Sequence, residues 1–343
     1  MGCCNNKNQN QGNVNTVPGR NGKLPNEEED FLEGGASSYH HHIAVHSTNP
    51  ETVANLHKNE IHAPDPTVAE LVQEMPTIQN EKVLEALRKV GEFIYNNDDP
   101  EDQALPYLGP YRFQNGAVYY GQWKNGIRWG RGKQIWPDGS QYVGYWRENA
   151  AHKRGRLIHT DGDVYEGEWA GDKAHGKGKY LHADGAVYEG EWDEDRQQGY
   201  GVEKWPDGAK YEGEYLGGKK HGQGKFVWAD GSGYHGSFKN NAIEGKGVYE
   251  WADGRKYEGD WKSNKMDGYG VFTWKDGRRY EGKYADDKKH GYGVFDWPDG
   301  RRYEGEWENG KQHGKGTFIG KDGKRREGEW ENGKRTKWLD GTD

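Results

Sequence analysis

Residues 165–187 read YEGEWAGDKAHGKGKYLHADGAV, and this 23-residue unit decides the fold. Its first five residues alternate, so Tyr165, Gly167 and Trp169 lie on one face of a strand and both glutamates on the other. A second run, built around a Gly-x-Gly pair, alternates in the same way. The Asp-Gly dipeptide after it is a strong hairpin signal, because hairpin turns need residues at positive φ. The unit therefore predicts two short antiparallel strands and two turns.

The unit recurs at a constant step of 23 residues. The pattern Tyr-x-Gly-x-aromatic begins at Tyr119, Tyr142, Tyr165, Tyr188, Tyr211, Tyr234, Tyr257, Tyr280 and Tyr303. A tenth copy at Arg326 has lost the tyrosine but keeps Gly328 and Trp330. Such periodicity indicates an array in which each unit packs on its neighbours. Residues 151–154 and Phe238 depart from the pattern, which predicts irregular second and sixth hairpins.

The composition excludes several classes of protein. Hydrophobic residues make up 31% of the chain, aromatic residues 13%, and 54 residues are glycine, a mixture that cannot fill a globular interior. The net charge of −8 lacks the basic excess of a nucleic-acid binder. There is no phosphate-binding glycine loop and no cysteine in the repeats. These features predict a non-enzymatic protein without cofactor, metal, nucleic acid or small-molecule substrate.

The succession of Tyr-x-Gly-x-Trp, Gly-x-Gly and Asp-Gly resembles the MORN (membrane occupation and recognition nexus) repeat over residues 107–335. The resemblance implies an elongated, single-layer antiparallel sheet of about ten hairpins. It also implies a scaffold that assembles protein partners, at membranes or in cytoskeletal and ciliary structures. The fold class is thus mainly β, with a short helical segment and a disordered tail before the sheet.

Four regions are predicted along the chain. Residues 1–50 are poor in apolar groups, which favours a disordered tether. Residues 51–106 form a helical segment, with a short helix from Thr67 and a longer one over residues 80–95, whose apolar stripe follows helical spacing. We expect the longer helix to cap the first hairpins; the alternative is a partner-binding or dimerising helix. The repeat array follows over 107–335, and 336–343 form a C-terminal tail.

The N-terminus carries the chemistry of double acylation. Removal of Met1 exposes Gly2, an acceptor for myristate, and the chain's two cysteines, Cys3 and Cys4, follow directly. One myristoyl chain binds a membrane only marginally, so palmitoylation of these thiols would supply the second anchor. Asn6 stands where Ser or Thr is usual in this motif. The motif predicts a protein held on the cytoplasmic face of a membrane, the plasma membrane in the first instance.

The aromatic side of the sheet is the predicted partner-binding surface, because a long apolar strip partly open to solvent normally marks an interaction site. Its representative residues are Tyr257, Trp261, Phe272, Trp274, Tyr280, Trp297, Tyr303 and Trp307. We expect them to receive a segment of a protein partner or a second copy of the chain.

Basic pairs follow the Asp-Gly turns at Arg255, Lys256, Arg278, Arg279, Arg301 and Arg302. They would form ladders along the sheet that could contact anionic lipid. Matching glutamates lie two or three residues on, so cross-strand charge pairing is the favoured interpretation.

These observations lead to one principal function and two alternatives. The principal hypothesis is a lipid-anchored scaffold that assembles protein partners along its sheet. The alternatives are a structural subunit of a cilium or cytoskeletal assembly, and a phosphoinositide or anionic-lipid binding module. Gly2, Cys3 and Cys4 separate the first two, because an axonemal subunit has no evident need for acyl chains.

Overall fold

The computed structural model describes residues 70–96 and 99–341. Within these residues the chain forms one open antiparallel sheet of 22 strands, in which every strand pairs with its neighbours in chain order. The predicted mainly-β array of hairpin repeats is confirmed. Ten hairpins account for twenty of the strands. The other two form a leading pair before the first complete repeat.

The strands alternate in length along the chain. The leading strands are β1 (Glu70–Leu71) and β2 (Tyr107–Arg112). First strands of the repeats are β3 (Val118–Lys124), β5 (Gln141–Arg147), β7 (Val164–Ala170), β9 (Val187–Asp193), β11 (Lys210–Leu216), β13 (Gly233–Lys239), β15 (Lys256–Lys262), β17 (Arg279–Ala285), β19 (Arg302–Glu308) and β21 (Arg325–Glu331). Second strands are β4 (Ile127–Ile135), β6 (Ala150–Ile158), β8 (Lys173–Leu181), β10 (Arg196–Lys204), β12 (Lys219–Val227), β14 (Ala242–Glu250), β16 (Lys265–Thr273), β18 (Lys288–Asp296), β20 (Lys311–Ile319) and β22 (Lys334–Trp338). The predicted tail 336–343 therefore begins inside β22.

Two kinds of turn alternate between the strands. The tight turn between β15 and β16 places Ser263 at φ 49° and Asn264 at φ 67°, the left-handed pair that a two-residue hairpin turn requires. The side-chain oxygen of Asn264 also accepts the backbone N–H of Ile243, 2.7 Å away in the preceding repeat. The longer turns carry Asp-Gly, where Asp276 accepts the N–H two residues on and Gly277 adopts φ 92°. Turn chemistry thus ties each repeat to the one before it.

The second and sixth hairpins are regular, so the predicted irregularity is wrong. Lys153 takes φ 52° at the position where Gly176 and Gly199 take 60° and 61°. The β5–β6 ladder keeps the register shift of its neighbours. In the sixth copy, Phe238 is buried and lies edge-to-face on Tyr234, as the usual tryptophan would. The lysine tolerates the strained φ because pairing on both sides of β6 fixes the backbone.

The core lies on one side of the sheet, here called the aromatic face. The ring of Tyr257 lies over two facing glycines, Gly259 of its own strand and Gly270 of the next. A Cβ added at Gly270 would stand 2.5 Å from two ring carbons of this tyrosine, so only glycine leaves room for the ring. The phenol donates a hydrogen bond to the carbonyl oxygen of Asp260, 3.0 Å away. Burial raises the pKa of Tyr257 well above its ordinary value.

The same arrangement repeats with little variation. In each complete repeat the tyrosine hydroxyl donates to the backbone carbonyl oxygen three residues further along the chain. These tyrosines are Tyr119, Tyr142, Tyr165, Tyr188, Tyr211, Tyr234, Tyr257, Tyr280 and Tyr303. Each tyrosine ring meets two others edge-to-face: Tyr257 contacts Trp261 at 5.1 Å and Tyr284 of the next repeat at 5.2 Å. We call this continuous line of rings, from Tyr119 to Trp330, the tyrosine–indole ladder.

One α-helix, α1 (Glu81–Val90), and a short 3₁₀ helix (Pro100–Asp102) precede the array within the described residues. The N-cap of α1 is Asn80, whose side chain accepts the N–H groups of Lys82 and Val83. Helix α1 ends at Gly91, whose φ of 66° is left-handed, so it stops short of the predicted Tyr95. The helix predicted from Thr67 is absent from the described residues 70–80.

Helix α1 does not cap the end of the sheet as predicted. Its buried Val83 packs on Ile158, Val164 and Leu181, which lie on the face opposite the ladder. This apolar patch ends at Val187, and the next residues at these positions are charged. The patch therefore holds the helix across β6, β7 and β8, while β1 covers the free edge of β2.

The glycine pairs generate a direct test. We expect Gly270→Ala to lower the free energy of unfolding by about 2–3 kcal/mol, because its Cβ overlaps the Tyr257 ring. The measurement is thermal and denaturant unfolding followed by circular dichroism. Gly233→Ala is the matched control, since its Cβ meets nothing nearer than 3.6 Å and its φ is not left-handed. Equal stability of the two variants would show that packing of the Tyr257 ring does not require glycine at position 270.

Candidate partner-binding face

A second line of rings runs beside the tyrosine–indole ladder, where the second strands end. Its partly buried tryptophans from the fourth repeat onward, here called the indole row, are Trp205, Trp251, Trp274 and Trp297. Buried rings of the second strands separate them: Phe272 lies 4.4 Å from Trp274, and Phe295 lies 5.5 Å from it on the other side. The aromatic face therefore has a closed line of rings and a partly open one.

The prediction that the aromatic face is partly open to solvent is wrong for six of its eight representative residues. Tyr257, Trp261, Phe272, Tyr280, Tyr303 and Trp307 are each at most 6% exposed. Glycine lets each ring lie close to the backbone, and the rings of adjacent repeats then cover one another. Trp274 and Trp297 remain partly exposed. A partner on this face would therefore meet the indole row first, and partner binding itself stays a prediction.

Arginines stack on three indoles of the array. The guanidinium carbon lies 5.4 Å from the ring of Trp251 for Arg255, 5.5 Å from Trp274 for Arg278, and 5.4 Å from Trp297 for Arg301. Each arginine also pairs with the aspartate of its own turn, Asp253, Asp276 or Asp299, at 2.7–3.0 Å. The aspartate fixes the planar guanidinium over the ring, so the edge of the indole row carries a series of paired charges.

The second members of the basic pairs have carboxylate partners as well. Lys256 lies 3.6 Å from Glu258, Arg279 lies 2.5 Å from Glu281, and Arg302 lies 3.1 Å from Glu304. These pairs join residues two apart on one strand, so they differ from the cross-strand pairing that the sequence favoured; Arg302 also lies 3.4 Å from Asp296 on the neighbouring strand. Contact of these side chains with anionic lipid stays a prediction.

One position of the repeat points into the aromatic core and was missed by the sequence analysis. Its occupants are Arg128, Ala151, Ala174, Gln197, Lys220, Ile243, Met266, Lys289 and Gln312. Because the residue type changes while the 23-residue spacing stays constant, periodicity alone does not distinguish this core position from a solvated one. The three cations among these residues meet different surroundings. Arg128 is hydrogen-bonded to Gln134 and lies over Trp146, and burial lowers its pKa to about 10.

Lys220 is buried with a carboxylate. Its Nζ lies 2.8 Å from Oε2 of Glu203, and both side chains are 1% exposed. The hydroxyl of Tyr215 donates to the same oxygen at 2.9 Å. Burial lowers the pKa of Lys220, while the charge of Glu203 acts in the opposite direction. The pair is stable because each charge compensates the desolvation of the other.

Lys289 has no such carboxylate, since Phe272 stands where Glu203 would be. Four ring centroids surround its Nζ: Trp274 at 5.0 Å, Tyr280 at 5.3 Å, Phe295 at 4.7 Å and Trp307 at 4.8 Å. We call these four rings the aromatic box. Burial, with a smaller contribution from the charge of Arg278, lowers the pKa of Lys289 to about 7. No ion pair or hydrogen bond joins its Nζ to any other residue in 70–96 and 99–341.

The opposite face carries two clefts beside α1. One of about 780 Å³ is lined by basic and acidic side chains, among them Arg154, Lys177, Lys179 and Glu166. Another of about 430 Å³ runs between the helix and the turn at Gly162. Exposed tyrosines, including Tyr269 and Tyr292, also mark this face.

Several predicted features lie beyond this site. Gly2, Cys3 and Cys4 fall outside the described residues, so their acylation stays a prediction. Among the described helices, none has the length and apolar character to cross a bilayer. Within residues 70–96 and 99–341, no cluster of three or more His, Cys, Asp or Glu side chains could hold a metal ion.

A family model described as MORN repeat matches ten consecutive segments: residues 119–141, 142–164, 165–187, 188–210, 211–233, 234–254, 257–278, 280–301, 303–325 and 327–336. The resemblance found in the sequence is thereby confirmed. None of the curated proteins matches the chain.

Similar solved structures include TCP domains of two proteins. The TCP10 domain of Danio rerio CPAP, in complex with a STIL peptide, is 13% identical, with 61% of this chain and 94% of that one covered at a TM-score of 0.37. The TCP domain of Drosophila melanogaster SAS-4, in complex with a proline-rich motif of Ana2, is 14% identical, with 46% and 85% covered at 0.29. Such TM-scores are too low to carry an argument about function.

Substitution by methionine should have opposite effects on the free energy of unfolding at Lys289 and at Lys220. Lys289→Met should raise the free energy of unfolding by about 1–3 kcal/mol near pH 7, because it removes an amine that aromatic rings enclose without a carboxylate partner. Unfolded Lys289 has a pKa near 10.5 and the folded residue about 7, so the unfolded state binds the extra proton between these values. The free energy of unfolding of the wild type therefore rises with pH between these two pKa values. The stability difference between the Lys289→Met variant and the wild type shrinks toward pH 10.

The control is Lys220→Met, which should lower stability by about 3–5 kcal/mol by leaving the Glu203 carboxylate buried alone. Both variants are measured by urea unfolding between pH 6 and pH 10. A destabilised Lys289→Met protein, with a pH profile parallel to that of the wild type, would contradict the assigned environment.

Proposed function

This chain belongs to the MORN-repeat family of non-catalytic repeat scaffolds, and we propose that it binds protein partners along its indole row while acyl chains hold it at a membrane. The observation that carries the proposal is the division of the aromatic face. The ladder is sealed and serves the fold, whereas Trp274 and Trp297 keep partial exposure beside it.

The chemistry of the indole row suits a peptide-like partner. Indole rings offer large, rigid contact area at little cost in conformational entropy, and they are enriched at the energetic centres of interfaces. Arg278 and Asp276 beside Trp274 add a donor and an acceptor at the rim. Because the sheet backbone fixes the row, little ordering of this surface is needed on binding.

The membrane part of the proposal rests on the sequence. Gly2 supplies the myristate acceptor, and Cys3 and Cys4 supply sites for the second lipid that stable anchoring needs. The cytoplasmic face of the plasma membrane is the proposed address. On that surface the array would hold its partners near the bilayer.

Site-specific photocrosslinking tests the partner surface. We expect p-benzoylphenylalanine at position 274 to give discrete covalent adducts in native-like cells, because Trp274 lies in the indole row. The matched control is the same substitution at Tyr292, which is 60% exposed on the opposite face. Mass spectrometry identifies the adducts. Adducts at position 292 but none at 274, in equally folded proteins, would place the binding surface on the other face.

Intact mass and membrane fractionation test the anchor. We expect the wild-type chain to carry acyl mass and to sediment with membranes. A Gly2→Ala, Cys3→Ser, Cys4→Ser variant should move to the soluble fraction, because every proposed lipid attachment point is removed. An unmodified wild-type chain that pellets with detergent-resistant cytoskeleton would refute anchoring and support a cytoskeletal or ciliary subunit instead.

A further inference from the structure

The aromatic box is a poor fit for the group that it contains. A lysine ammonium has three N–H donors and normally satisfies them with water or oxygen acceptors. The four rings around Lys289 Nζ offer only their π faces. The same position in an earlier repeat shows the contrast, because Lys220 has both rings and a carboxylate.

Four rings at 4.7–5.3 Å around one cationic centre suit a different cation. A quaternary ammonium has no N–H to satisfy, and its attraction to aromatic faces depends on several rings surrounding it. We propose that the aromatic box of Trp274, Tyr280, Phe295 and Trp307 binds the trimethylated lysine side chain of a protein partner, with Lys289 as a displaceable occupant. This inference rests on the proposed function, since Trp274 belongs both to the box and to the indole row.

Two features make displacement feasible. Lys289 is only partly buried as a residue, and its long stem can move the amine toward solvent. Burial holds its pKa at about 7, so at neutral pH a large share of the molecules carry an uncharged amine that does not repel an incoming cation. A permanently charged trimethylammonium then gains the ring contacts that the neutral amine leaves largely unused.

The test compares the full-length wild type with Lys289→Ala, using N-acetyl-trimethyllysine amide as the probe. Binding is followed by calorimetry and by tryptophan fluorescence. We expect the variant to bind the probe at least tenfold more tightly than the wild type, because the competing occupant is gone. A neutral isostere, with carbon in place of the quaternary nitrogen, should not bind. Equal binding of the isostere, or no binding by a folded Lys289→Ala protein, would overturn the proposal.

Two double variants assign the site. Adding Trp274→Leu to Lys289→Ala should abolish probe binding, whereas adding Trp251→Leu, an indole outside the box, should leave it intact. A choline lipid headgroup carries the same quaternary ammonium as trimethyllysine. Binding to phosphatidylcholine vesicles is therefore compared with binding to phosphatidylglycerol vesicles. Choline-specific vesicle binding that requires Trp274 would overturn the protein partner in favour of a lipid headgroup. Adducts at position 274 without any ammonium binding would refute this inference and leave the proposed function standing.

Discussion

The fold depends on a tyrosine ring lying over a pair of facing glycines. At Tyr257 the ring occupies the space that Cβ atoms at Gly259 and Gly270 would need, and its hydroxyl bonds to a backbone carbonyl of the same strand. A single ring thus fixes the strand, its neighbour and the distance between them. Because each ring also meets an aromatic ring of the next repeat, the contact propagates along the sheet. The constant 23-residue step follows, since an insertion would move a ring off its glycines.

This packing gives a single-layer sheet a core of its own. Most such sheets need a second layer to cover their apolar side, but here the rings cover one another and the glycine backbone. The opposite face is left to charge pairs, and α1 binds only where Ile158, Val164 and Leu181 interrupt them. The part of the aromatic face that remains exposed is therefore narrow, and it follows the indole row.

On the aromatic face, the polar residues of the core differ from one repeat to another. Glu203 and Lys220 compensate each other, whereas Lys289 has only rings around it. An amine enclosed by rings without a carboxylate costs stability, and ionisable groups in such surroundings are often found at functional sites. Lys289 lies beside Trp274, a partly exposed member of the indole row. The proposed partner-binding surface and the aromatic box therefore share Trp274.

The sequence by itself determined the repeat, its period, the two strands of each unit and the face on which the rings lie. These follow from local rules: alternation, turn residues at positive φ and self-similarity. It did not determine how far the rings are exposed, because that depends on contacts between repeats. It also missed the core position of Lys220 and Lys289, whose residue type varies. Only the tertiary structure decided that Lys153 adopts the glycine conformation, and that α1 lies across β6–β8 rather than at the end. Both outcomes depend on neighbouring strands that no local pattern records.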